Sequence, residues 1–205
     1  MVDMTASLKP RSPLDRVRTP GTHGAVHTDG PGIVVGEVRD LALVAAMAAK
    51  NDREALANAV RDGFGLDLPM ANRSARDDHR VWAFAGLNKW YVMQPKTDGS
   101  TLMATLGEKL GDTATLADQT HGQTVLEIRG PAARDVLIKG VPVDLNPKTF
   151  AFGDVAAVSI NHVHVLLWRT ELDAYRIMVM RSFAADLWQF LTTMAAEYGY
   201  RVPAA

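Results

Sequence analysis

Two halves of this 205-residue chain run through the same succession of elements, and that recurrence most limits the fold. In the first half, residues 33–38 and 41–48 read as strand segments, rich in β-branched or small apolar side chains. Residues 41–48 are dominated by alanine and fit a helix as well, because periodicity cannot arbitrate over so short a run. Asn51-Asp52-Arg53-Glu54 opens a helix, with Asn51 as its capping residue and Glu54 reaching back three positions later. Leu56, Ala59, Val60 and Gly63 share its buried face, and Gly63 and Gly65 end it. The polar residues 71–79 form a loop, residues 81–85 and 90–93 are strands about a turn at Gly86-Leu87-Asn88, and Ser100 caps a second helix. That helix turns Leu102, Met103, Leu106 and Leu110 inward, and Gly111 follows its end.

The second half repeats the order. Residues 125–128 form a strand, Pro131 stands in a first helical turn, and Ala133, Val136 and Leu137 make a buried stripe that ends at Gly140. Strands follow at 155–160, 163–168 and 175–180. Ser182 caps a last helix with Phe183, Leu187, Leu191, Met194 and Tyr198 on one side, Asp186 in its first turn, and Gly199 as its stop. The pattern predicts an α+β protein of two ferredoxin-like-type α/β sandwich units, each an antiparallel sheet with helices on one face. The units divide at 32–114 and 115–205. Residues 1–31 stand apart. Pro10, Pro13, Pro20 and Pro31, with Gly21, Gly24 and Gly30, exclude regular structure and read as an extended or disordered N-terminal arm. If the arm is laid on a partner, Leu14 and Val17 are its anchors.

Composition narrows the function. A net charge of −1 provides no field for nucleic acid or an anionic membrane. The absence of cysteine excludes disulfides, thiol nucleophiles and thiolate metal sites, and fits a cytoplasmic protein. Lys9, Arg11, Asp15 and Arg16 interrupt any signal-like apolar core, and the longest apolar run, 41–49, is shorter than the ~20 residues that a membrane span needs.

The candidate chemistry is sparse. His162-Val163-His164 would point two imidazoles to one face of a strand, but Leu166 and Trp168 continue that face without a further ligand, so the pair reads as a non-ligand. Asp118-Gln119-Thr120-His121 suits either an acid–base pair or a turn held by side-chain to backbone hydrogen bonds, and the turn is the better reading because no third group orients the pair. Gly130-Pro131 lacks the donor that a phosphate cradle needs, and Gly63-Phe64-Gly65 follows a helix where a dinucleotide turn should open one. Ser159 and Ser182 have no glycine-flanked elbow. Trp82, Trp90, Trp168 and Trp188 are suited to core or interface packing, or to stacking on a flavin, folate or base. The residues therefore assign no catalytic, cofactor-binding or metal-binding group, and Trp168 and Trp188 join Leu14 and Val17 as candidate partner-interface residues.

A series of words in a fixed order carries a family resemblance: Leu68-Pro69, Trp90, Asp118-Gln119-Thr120-His121-Gly122, Arg129-Gly130-Pro131-x-Ala133-Arg134, Val143-Asp144-Leu145, Phe150-x-x-Gly153, Leu167-Trp168-Arg169 and Arg181-Ser182-Phe183-Ala184-x-x-Leu187-Trp188. Across residues 32–200 they resemble the gamma subunit of heterotetrameric sarcosine oxidases. The resemblance implies an accessory chain that is not catalytic by itself, in a complex with alpha, beta and delta subunits and chiefly against alpha. Such a complex oxidatively demethylates sarcosine to glycine, releasing hydrogen peroxide and, with tetrahydrofolate as co-substrate, forming methylenetetrahydrofolate. It further implies that FAD, FMN, NAD and zinc belong to the partner subunits, and that the fold is similar to part of the folate-binding aminomethyltransferases. Those transferases carry a Gly-Gly-x-x-Asp-Asp type stretch. The corresponding segment here, 162–179, has Glu171 and Asp173 in a hairpin turn and no glycine pair, so no catalytic residue carries over. A subunit of an N-methylglutamate dehydrogenase complex, a free-standing folate-dependent methyl carrier enzyme and a small-molecule binding module are the alternatives.

Overall fold

The computed structural model describes residues 11–204. Its strands are β1 (Gly21–His23), β2 (Ile33–Val38), β3 (Leu41–Ala48), β4 (Ser74–Arg76), β5 (Val81–Phe84), β6 (Lys89–Pro95), β7 (Ala114–Asp118), β8 (Gln123–Arg129), β9 (Val155–Ile160), β10 (Val163–Glu171), β11 (Ala174–Met180) and β12 (Tyr200–Val202). Its α-helices are α1 (Arg53–Phe64), α2 (Gly99–Leu110), α3 (Ala133–Leu137) and α4 (Ala184–Ala195). A five-stranded sheet has the order β4-β5-β6-β3-β7, and a seven-stranded sheet the order β1-β12-β2-β8-β11-β10-β9. All pairings are antiparallel except β12 with β2, which is parallel.

The strands alternate their side chains between two cores, and this alternation builds four layers. On β3, Ala42, Val44 and Ala46 face α1 and α2, where they meet Leu56, Val60, Leu102, Leu106, Trp82 and Trp90. Leu43 and Ala45 face the other way and meet Met178, Leu166, Trp168 and Val125 of the seven-stranded sheet. The far side of that sheet packs Val165, Leu167, Tyr175 and Ile177 beneath α3 and α4. The order across the molecule is helices, sheet, sheet, helices.

The recurrence read from the sequence is real at the level of topology. β3-α1-β4-β5-β6-α2-β7 corresponds to β8-α3-β9-β10-β11-α4-β12 in element order. The sheet orders 4-5-6-3-7 and 9-10-11-8-12 correspond as well, except that β2 is inserted between β8 and β12. The parallel β2–β12 pairing keeps β12 antiparallel to β8, as β7 is to β3.

Several local expectations are corrected. The division at residue 114 does not follow the sheets: β2 joins the second sheet, and β7 closes the first. Residues 41–48, read as strand with a helix as the alternative, are strand, because both neighbours, β6 and β7, supply a ladder. The loop expected at 71–79 contains β4. α1 is capped by Asp52, whose carboxylate accepts from the Ala55 N–H at 3.0 Å, because Asn51 is held at φ 60° in the left-handed region. Asp98 rather than Ser100 caps α2, accepting from the Thr101 N–H at 2.8 Å, and no side chain caps α4 at Ser182. Gly65 ends α1 in the left-handed conformation that favours glycine.

Candidate functional site

One concavity on the seam between the sheets is a cleft of about 410 Å³. Leu41, Val81, Met93 and Trp168 give it apolar walls. Across strands β8 and β11, Glu127 and Arg176 are directly opposed, and the Arg176 Nε donates to the Glu127 carboxylate at 3.1 Å. The hydroxyls that line the cleft are engaged with backbone: Ser74 donates to the Gly153 carbonyl at 2.9 Å and Thr170 to the Ala174 carbonyl at 3.2 Å. Neither is paired with a base, so the cleft offers charge pairing and apolar contact rather than an activated nucleophile.

Arg169, also in the lining of this cleft, is only 3% exposed. Its guanidinium donates to the carbonyls of Phe150 at 2.8 Å, Glu171 at 3.1 Å and Leu172 at 2.5 Å. One side chain thus fastens the β10–β11 hairpin to the long connection before β9. Tyr175 lies beneath it, 6.0 Å from the guanidinium to the ring centre, and burial raises the phenol pKa above its ordinary value. Nothing in the motif reading singled Arg169 out for this work. The usable signal was an arginine following the apolar run Val165–Trp168, where a charge costs energy unless fully hydrogen-bonded.

A second cleft, about 500 Å³, is lined in part by Asp98, Thr120, His121 and Arg181. Here the Asp118–His121 segment is a junction. Asp118 accepts from the Thr120 N–H at 2.8 Å, the Thr120 hydroxyl accepts from the Leu43 N–H at 3.0 Å, and the Gln119 N–H donates to the Leu43 carbonyl at 2.8 Å. The Asp118 carboxylate also lies where a side chain on Gly99 would stand: a Cβ there would come 2.2 Å from an Asp118 oxygen. These hydrogen bonds make the segment the turn expected from its residue types and tie the strap between the two units to the first sheet. Asp98, fully exposed, has its pKa lowered to about 2, first by the Ser100 hydroxyl and then by the Thr101 backbone N–H and hydroxyl. That shift belongs to a helix cap.

The model of the sarcosine oxidase gamma subunit family matches residues 48–197, from the end of β3 past the end of α4. The chain belongs to that family. The gamma subunit of sarcosine oxidase from Corynebacterium sp. (strain P-1) is 30% identical over 156 residues, 76% of this chain and 75% of the relative. The subunit from Arthrobacter sp is 26% identical over 190 residues, 92% of this chain and 91% of the relative. A chain of the heterotetrameric sarcosine oxidase from Corynebacterium sp. U-96, solved in complex with pyrrole 2-carboxylate, superposes with a TM-score of 0.74 at 26% identity, covering 86% of this chain and 88% of that one. The glycine cleavage system aminomethyltransferase T from Bartonella henselae superposes with a TM-score of 0.64 at 13% identity, covering 85% of this chain and 48% of that one. That second likeness concerns the fold alone and agrees with the aminomethyltransferase-like α+β architecture expected above.

The gamma-family chain distributes the expected interface residues differently from the sequence reading. Leu14 (0% exposed) and Trp188 (3%) lie in the core beneath α4, and Trp168 (2%) lies between the sheets. These three large side chains are used within the chain, because a four-layer fold has three apolar seams to fill. Val17, at 45% exposure, remains on the surface. The described part of the arm is likewise fixed on its own chain: β1 pairs with β12, and the Ala25 N–H donates to the Ala196 carbonyl at 2.7 Å. Residues 1–10 lie outside the described residues.

His162 is at φ 68° in the β9–β10 turn, off the strand that would have aligned it with His164, and the His164 Nδ1 instead lies 2.9 Å from the Ser159 hydroxyl. Among the described residues there is no group of three or more His, Asp or Glu side chains placed to hold a metal, and no helix is long and apolar enough to cross a membrane.

Proposed function

We propose that this chain is the non-catalytic gamma subunit of a cytoplasmic heterotetrameric sarcosine oxidase, supporting a complex that demethylates sarcosine oxidatively to glycine. The observation that carries the reading is the family match over 48–197 together with a superposition that spans nearly all of a chain in a solved heterotetrameric sarcosine oxidase. In this reading FAD, FMN, NAD and zinc reside on the alpha, beta and delta partners, and tetrahydrofolate is the complex's co-substrate. The local chemistry supports an accessory role: the lining hydroxyls Ser74 and Thr170 are engaged with backbone carbonyls, and the strongly shifted carboxylate, Asp98, is a helix cap. Surface Val17 remains a candidate contact to the large alpha-type partner.

The test is co-expression with the alpha-, beta- and delta-type chains. The four are expected to co-purify, with flavin absorbance and sarcosine-dependent peroxide formation in the complex and neither in the isolated chain. A chain that purifies alone with stoichiometric flavin, or a complex that oxidises N-methylglutamate and not sarcosine, overturns the reading.

A further inference from the structure

We infer that the cleft on the seam between the sheets binds a free α-amino acid with an apolar side chain, its carboxylate held by Arg176 and its ammonium group by Glu127. The inference goes beyond the subunit reading and does not depend on it.

The site is a row across the second sheet. Trp168 on β10 opposes Arg176 on β11, Arg176 opposes Glu127 on β8, and Glu127 opposes Gly36 on β2. Residues opposed on neighbouring strands share a face, and the packing of Trp168 between the sheets places this face in the seam. An aromatic ring, a cation, an anion and a position without a side chain therefore follow one another at the strand spacing of about 4.8 Å. The first sheet covers Trp168, whereas the Arg176 and Glu127 side chains keep 31% and 27% exposure. The charged pair is thus half-buried and still reachable.

The pair is not closed on itself. Arg176 reaches Glu127 through Nε alone, whereas an arginine that saturates a carboxylate does so with two parallel N–H groups. Among the described residues, neither terminal nitrogen of Arg176 and no second oxygen of Glu127 has another hydrogen bond. Donors for one carboxylate therefore stand beside an acceptor for one ammonium group. An α-amino acid carries those two charges on a single carbon. The other charged groups of the lining do not compete for this role. Arg169 is engaged by three carbonyls, Asp77 by the N–H groups of His79 and Arg80, and Arg76, Asp78 and Glu171 are exposed.

The first sheet supplies the facing wall as two cross-strand pairs, Leu41 with Pro95 and Val81 with Met93. The third substituent of the ligand's α-carbon accordingly meets hydrocarbon and the Trp168 ring, which favour an apolar side chain over a polar one. A cleft of about 410 Å³ falls within the roughly 300–1,000 Å³ of small-molecule sites. Apolar walls with a few convergent polar groups are also the composition of such sites.

The experiment titrates the full chain calorimetrically with leucine, with its deaminated analogue, which lacks the ammonium group, and with its decarboxylated analogue, which lacks the carboxylate. Leucine should bind, and each analogue should bind about tenfold or more weakly. Glycine, without the apolar side chain, should also bind more weakly than leucine. Glu127→Gln should erase the preference for leucine over the deaminated analogue, and Arg176→Gln the preference over the decarboxylated one. A variant that merely misfolds weakens all ligands alike, and circular dichroism identifies it; the analogue series on the wild type then decides alone. Equal binding of leucine and either analogue, glycine binding as tightly as leucine, preferences that survive in folded variants, or no binding to the folded wild type at millimolar ligand each overturn the inference. None of these results alters co-purification with the alpha-, beta- and delta-type chains, so the subunit reading stands or falls separately.

Discussion

The unit around the five-stranded sheet and the unit around the seven-stranded sheet have one topology and two ways of completing it. In the first, α1 has 12 residues, capped by Asp52 and ended by Gly65. In the second, the corresponding α3 has 5, and the connection that follows supplies Val141, Leu145 and Phe150 to the core in place of further helix. The first sheet is built wholly from residues 41–118, whereas the second borrows β1 and β2 from upstream, and its core takes in Leu14. Both units tie the long connection after their first helix to the sheet with one large polar-tipped side chain. Trp90 donates to the Pro69 carbonyl at 2.6 Å in the first, and Arg169 donates to Phe150 and the adjoining hairpin in the second. A duplicated fold tolerates a short helix when other chain fills the same volume, because packing responds to volume and burial rather than to which element supplies them.

The largest test of this difference is Leu14→Ala. A fully buried leucine in the second core should cost about 2–5 kcal/mol in chemical denaturation, although it lies far from the rest of that unit in sequence. A loss within the range of surface substitutions, under about 0.5 kcal/mol, would break the claim that the second unit depends on the upstream segment. The same dependence means that truncation at residue 31 should destabilise the chain, not trim a dispensable arm.

Next come the two fasteners. Arg169→Met strips hydrogen bonds from three carbonyls and should cost roughly 2–4 kcal/mol; Trp90→Phe strips one and should cost about 1–3 kcal/mol. Equal losses in matched urea titrations would mean that the hairpin carbonyls find other donors, and would erase the contrast between the units.

A smaller effect is expected at the helix start. Asp52→Ala should destabilise by about 0.5–2 kcal/mol, whereas Ala132→Ser, at the side-chain-uncapped start of α3, should change stability by only a few tenths of a kcal/mol if α3 is held by packing. A clear stabilisation by Ala132→Ser would show that α3 is limited by its cap.

The smallest effect is the pH dependence contributed by Asp98 of the first unit. The folded-state pKa of Asp98 is lowered from 3.8 to about 2, so its contribution is present above pH ~4 and lost as the pH falls toward 2. Asp98→Asn should flatten that part of the acid-unfolding curve. An unchanged curve would mean that Asp98 does not titrate with folding.

The order of the longer elements was legible before any coordinate, although the strands β1, β4, β7 and β12 were not, and so were the inward leucines of α2 and the turn at Asp118–Thr120. These depend on periodicity and on hydrogen bonds between near neighbours in the chain. The caps were displaced by one or two residues, from Asn51 to Asp52 and from Ser100 to Asp98, because competing polar residues stand side by side and φ decides among them. The Asp118 strap was found without its purpose, since its partner Leu43 is 77 positions away from Thr120. Arg169 was legible as part of a motif word but not as a fastener, because its acceptors are backbone carbonyls that any residue could provide.

The sequence by itself determined that this is an α+β chain of two like halves, with the words of the gamma-subunit family and no cysteine chemistry. Only the tertiary structure decided which sheet receives β2 and β7, and that Leu14, Trp168 and Trp188 are internal. A strand's alternation is the same whichever sheet it joins, and an apolar side chain reads the same whether its own chain or another buries it. Pairing and burial are settled by contacts between residues far apart in the chain, and those contacts exist only once the four layers have closed.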